Sequence, residues 1–123
     1  MKTNDLKTLS VKELIEQFKQ LTLAQSHAEL YGQYSKYNKL YRKVVAIKDE
    51  LKSREGDQRR ALVELFDHQN AQVRLVAAQW ALAVVPEAAQ AVLQKISDQN
   101  EYPQAADARQ TLDAIKRGDS KLM

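Results

Sequence analysis

A chain of 123 residues is one domain's worth, long enough to hide a core without staples, and with no cysteine it carries no disulfide and no Cys-based zinc or iron–sulfur site. Its 19 basic and 16 acidic side chains leave a net charge of only +3, and neither a secretory h-region nor a transmembrane run occurs, so a cytoplasmic protein without a membrane partner is expected. The charge is uneven: residues 1–60 carry 13 Lys or Arg against 8 Asp or Glu, residues 61–123 carry 6 against 8, and the basic front half brings nucleic acid into view as a partner.

In chain order, residues 1–9 read as an N-terminal arm. Ser10 then opens a helix with two start signals: Ser10 and Glu13 have capping-box spacing, and Leu9 and Leu14 that of a hydrophobic staple. Leu14, Phe18, Leu21, Gln25 and Ala28 fall on one stripe with Ile15 beside it, which predicts one amphipathic helix to about Tyr31, stopped at Gly32. A break at Thr22 is the alternative. A second long helix is predicted from Ser35 to Arg54 on Tyr37, Leu40, Tyr41, Val44, Ile47 and Leu51, and the short link makes the two an antiparallel hairpin.

Gly56 and Asp57 separate this hairpin from a short third helix, Gln58 to Asp67, with Ala61, Leu62, Leu65 and Phe66 inward. After a His68-Gln69-Asn70 turn comes Ala71 to Val85, so apolar around Trp80 that it reads as the central helix, surrounded by the other five. Pro86 opens a fifth helix with Ala89, Val92, Leu93 and Ile96 inward. Asp98 to Glu101 reads as a plain polar loop, and Pro103 starts the last helix, with Ala105, Ala108, Leu112 and Ile115 inward and Gly118 as its stop. Residues 119–123 read as a frayed tail. The expectation is a single all-α domain of six helices in three antiparallel hairpins.

The segment Leu62 to Asp67, followed by Val73-Arg74, Ala77-Ala78 and Ala81-Leu82, resembles a HEAT repeat, and Leu93-x-x-Ile96-Ser97-Asp98 with Ala108 and Leu112 resembles a degenerate second copy. With the block Lys36 to Tyr41 and the ending Pro103 to Ala108, the whole chain is similar to a family of small bacterial HEAT-like proteins of unknown function. That resemblance implies a short α-α superhelix. It also implies a structural Arg74 that bonds turn carbonyls or an acid, with Asp67 as its partner; Trp80, on so apolar a helix, reads as a structural core residue in preference to part of a binding groove.

Chemistry is sparse. His27 and His68 stand in no metal-ligand spacing, the glycines Gly32, Gly56 and Gly118 are scattered singly at helix ends, and the serines fall at caps and turns, so neither metal, cofactor nor catalytic set is predicted. The distinctive stretch is Tyr31, Tyr34, Tyr37 and Tyr41 beside Asn38, Lys39 and Arg42, a composition that protein interfaces use for anchors and that also stacks single-stranded bases. Tyr37 and Tyr41 share the core stripe of their helix, so core and interface readings both stand for them. Arg59 and Arg60 sit at a helix start, an end that disfavours cations, and read as partner contacts. The leading expectation is a non-catalytic protein-binding module. Some small helical-repeat proteins of bacteria act as immunity proteins against a toxin, and that role enters by analogy. The alternative is nucleic-acid binding through the basic face of residues 36–60.

Overall fold

The computed structural model describes residues 3–118, and the expected tail 119–123 lies outside them. Among them five α-helices and two 3-10 helices follow in the order η1 (Thr3–Thr8), α1 (Val11–Leu30), α2 (Tyr34–Ser53), η2 (Gln58–Leu65), α3 (Ala71–Ala81), α4 (Pro86–Asp98) and α5 (Gln104–Lys116). All six expected helices are present, no strand occurs among the described residues, and the fold is all-α. The chain, expected to be a single domain, divides between Ala61 and Leu62 into two compact units.

In the first unit, Ser10 caps α1 as its spacing requires. Its Oγ accepts from the Glu13 N–H at 3.1 Å, and the Glu13 carboxylate accepts from the Ser10 N–H at 2.9 Å. Those bonds favour the charged form and hold the Glu13 carboxyl below its usual range. Leu14, Ile15, Phe18, Thr22, Gln25 and Ala28 are buried along α1. Thr22, not Leu21, joins the stripe, and it does not break the helix, because its hydroxyl donates back to the Phe18 and Lys19 carbonyls at 2.9 and 3.0 Å. At the far end the N–H of Gln33 reaches the Ala28 carbonyl at 2.8 Å and that of Gly32 reaches Glu29 at 3.2 Å. This double closure needs a left-handed residue, and Gly32 supplies it at φ +66°. The chain reverses there, and α2 packs back on α1 with Leu40, Val44, Ile47 and Leu51 buried.

The segment expected to be a free arm is instead η1. Leu6 is buried, and Arg54, at the C-cap of α2, donates Nη2 to the Leu6 and Leu9 carbonyls at 3.0 and 2.8 Å while its Nε meets Glu50 at 2.7 Å. Local sequence gave no sign of this anchor 45 residues away.

The third expected helix is a 3-10 helix, and its burial pattern says why. Arg59, Leu62 and Leu65 are the buried positions, a strict three-residue spacing that matches three residues per turn and not 3.6. Ala61 and Phe66, expected inward on an α-helix, are half-buried.

In the second unit, Asn70 caps α3, its Oδ1 accepting from the N–H groups of Gln72 at 2.8 Å and Val73 at 3.2 Å. Seven of the eleven α3 residues are buried, namely Gln72, Val73, Leu75, Val76, Ala77, Ala78 and Ala81. The helix stops at Ala81, four residues short of the expected Val85, where the N–H groups of Val84 and Val85 both turn back to the Ala81 carbonyl. The core joins Leu75, Ala78 and Leu82 to Ala89, Leu93 and Ile96 of α4 and Ala108 of α5. Alanine at the facing positions of α3 and α5 leaves room for polar cross-links. Gln104 donates to Gln72 at 3.1 Å in a buried pair, and Gln79 donates to Thr111 at 3.0 Å and Asp107 at 3.2 Å.

Candidate functional site

The outward face of α2 collects most of the residues the sequence singles out. A helix advances about 100° per residue, so burying Leu40, Val44, Ile47 and Leu51 turns Tyr34, Asn38, Tyr41 and Arg42 toward solvent. Tyr34 is 73 % exposed and Tyr41 48 % exposed, while Tyr37 on the flank is half-buried. Tyr41 is thus a surface residue, and the core reading of it is set aside. At the α1–α2 corner Leu30 and Tyr31 add 76 % and 64 % exposed side chains, and Tyr31 packs on the His27 ring with centroids 4.7 Å apart. Large apolar groups left in water over one corner mark a contact surface more often than scattered singles do.

From its start through Lys48, α2 carries charge of one sign along the sequence. From Leu30 through Lys48 the sequence holds Lys36, Lys39, Arg42, Lys43 and Lys48 and no Asp or Glu. Lys36, Lys39, Arg42 and Lys43 are exposed and form no ion pair with any described residue. Acids begin at Asp49, on the same side of the helix as Arg42, and are already engaged: Asp49 pairs with Lys48, and Glu50 with Arg54. Between these regions a shallow hollow of about 410 Å³ has Val45 and Ala46 as its floor and Arg42 and Asp49 at its rim.

Arg59 and Arg60 do not belong to this face. Arg59 is buried and clamps Asp57, its Nε on Oδ1 at 2.8 Å and its Nη2 on Oδ2 at 2.6 Å. Hydrogen bonding from Arg59 holds the Asp57 carboxyl below its usual range, against the opposing effect of burial. Asp57 itself sits at φ +51°, so the clamp secures a left-handed residue beside Gly56. Arg60 is exposed and donates Nε to the Gly56 carbonyl at 3.1 Å. Both arginines close the turn that leads into η2.

Arg74 donates Nε to the His68 carbonyl at 2.7 Å and a longer bond to Gln69 at 3.4 Å, and its acidic partner is Glu101, not Asp67. Asp67 lies exposed on the rim of a depression of about 320 Å³ that also takes in Phe66, Arg74, Val92 and Lys95. Trp80 is half-buried on α3. The plain polar loop of the sequence is therefore a junction. Glu101 holds Arg74, while Arg109 donates to the Ser97 carbonyl and Asn100 Oδ1, both at 2.7 Å, and meets the Tyr102 hydroxyl. Asn100 at φ +53° was the one local sign of it, since asparagine is the non-glycine residue that best tolerates this conformation.

Among the described residues no three His, Asp or Glu side chains stand close enough to hold a metal ion, and no helix is long and apolar enough to cross a membrane. Residues 12–116 match the family described as Domain of unknown function (DUF2019). The chain is also similar to the protein RPA1889 from Rhodopseudomonas palustris CGA009, whose crystal structure superposes with a TM-score of 0.91 at 41% identity, covering 93% of this chain and 94% of that one. No curated protein matches.

Proposed function

This chain belongs to the DUF2019 family, and from that premise we propose that it is a non-catalytic protein-binding module whose contact surface is the outward face of α2 with the adjoining α1–α2 corner. The observation that carries the reading is the exposure of Tyr34 and Tyr41 on the same helix face as Arg42. Tyrosine anchors interfaces because it brings large area with little rotamer freedom to lose, and arginine because its planar fork makes several directed bonds at once; no described side chain of the first unit is seen to bond the side chains of these three. Arg59 and Arg60 are engaged in closing turns. An adaptor or immunity role, and a repeat-like stacking of residues 62–82 and 93–112, stand as parts of this proposal; cytoplasmic residence does too.

Affinity capture from the native cell with wild type and with Tyr34→Ala/Tyr41→Ala tests it. The reading expects a discrete protein that is lost from the double variant while its melting temperature is unchanged. Recovery of the same proteins with both chains would reject it. The nucleic-acid alternative draws less support, because the unengaged cations of residues 36–60, Lys36, Lys39, Arg42, Lys43 and Lys52, are interrupted by Asp49 and Glu50.

A further inference from the structure

We propose that the partner docking on α2 is a second copy of this chain, set antiparallel about a two-fold axis between Val45 and Ala46, so that Arg42 of each copy pairs with Asp49 of the other. This rests on the reading of α2 as a contact surface and names the occupant of that surface.

The arrangement of α2 about its own midpoint selects that occupant. Val45 and Ala46 floor the hollow of about 410 Å³ whose rim carries the exposed Arg42 and Asp49. Arg42 stands three residues before Val45 and Asp49 three residues after Ala46, so the opposite charges are equidistant from the floor. At about 100° per residue they also lie only about 20° apart round the helix, on one outward line. An isologous contact turns a patch against itself. With the helix direction reversed, this line brings cation onto anion at both ends of the contact. A parallel pairing would instead oppose Arg42 to Arg42 and Asp49 to Asp49, and a partner of one charge sign would satisfy only one end. Asn38 and Ser53, each seven residues beyond the floor, repeat the match, an amide donor meeting a hydroxyl that accepts. On one flank Lys39 and Lys43 of each copy come within about 3 Å, along the axis, of the level of Glu50 of the other. Within one copy Lys48 meets Asp49 through Oδ1, a surface pair between sequence neighbours that contributes little, and Oδ2 serves the guanidinium of the other copy.

Sedimentation velocity on the full chain at low salt, from about 5 µM to about 1 mM, tests this, with the melting temperature of every variant as the check on folding. One helix on one helix buries no more than about 1,200 Å², so dimer is expected toward the upper end of that range and should weaken several-fold at physiological salt. Arg42→Asp and Asp49→Arg each set like charges together at both ends and should weaken self-association at least about tenfold. Mixed one to one, the two variants should associate with each other within about threefold of wild type, since one then carries two acids on the line and the other two cations. The doubly reversed chain, Arg42→Asp/Asp49→Arg, should regain self-association. A chain that is monomeric throughout, single reversals that leave the dimer intact, or variants that fail to associate when mixed overturn the proposal. If the chain is monomeric yet captures a different protein that Tyr34→Ala/Tyr41→Ala releases, the proposal falls and the contact reading of α2 stands.

Discussion

Arg74 and Glu101, 27 residues apart, share a two-pronged ion pair in which Nη1 and Nη2 meet Oε1 and Oε2 at 3.0 and 2.8 Å. With the bond from Nε to the His68 carbonyl, one half-buried guanidinium closes the turn before α3 and ties it to the turn after α4. Glu101→Gln should therefore lower stability by ~1–3 kcal/mol, the range for hydrogen bonds between charged groups, read as a drop of several degrees in melting temperature. Arg74→Lys should do nearly as much, because an ammonium has no fork.

The same pair sets a pH dependence. Hydrogen bonding from Arg74 holds the Glu101 carboxyl below its ordinary 4.5, outweighing burial. A depressed folded-state pKa means the stabilisation is present above the unfolded value and lost as pH falls through the folded one. The stability gap between wild type and Glu101→Gln, measured by urea unfolding, should be full at neutral pH and shrink progressively as the pH drops below 4.5.

Among the described residues Arg54 alone binds the carbonyls of both Leu6 and Leu9 through its side chain, so η1 should loosen without it. Arg54→Ala is expected to raise hydrogen exchange at the Leu9 amide, which bonds Leu6 O at 3.1 Å, by about tenfold or more, and to speed tryptic cleavage after Lys7. Exchange in the middle of α2 should change far less.

Arg59 and Arg60 should part company. Arg59→Ala leaves the Asp57 carboxylate without its clamp and empties a buried position, for an expected loss of ~1–3 kcal/mol by thermal unfolding. Arg60→Ala, exposed, should stay within about 0.5 kcal/mol of wild type. Partner capture should be unchanged by Arg60→Ala.

What could be read in advance was whatever is written locally. Ser10 and Glu13 are three residues apart, Pro86 marks its own helix start, and Leu40 to Leu51 repeat at helical steps, so caps and helix faces were legible. Tyr41 was ambiguous because it lies at the edge of that stripe, where packing from α1 alone decides exposure. The 3-10 winding of η2 was hidden because Leu62 and Leu65 fit both a three-residue and a 3.6-residue period; Arg59, a cation not counted as core, breaks the tie. Arg54 with Leu6 and Arg74 with Glu101 were invisible, since pairings across tens of residues leave no local pattern. The aromatic-basic composition of the candidate face was plain in the sequence. Its extent was not: Arg59 left it once the clamp on Asp57 was seen.

The most direct test of the α2 face is site-specific photo-crosslinking in the native cell, with a photoreactive amino acid in place of Asn38 between Tyr34 and Tyr41, and at Asp113, exposed on α5, as control. The account predicts one discrete protein adduct from position 38, suppressed by Tyr34→Ala/Tyr41→Ala, and none of the same mass from position 113. Adducts that are identical from both positions, or that persist when the tyrosines are removed, would contradict it.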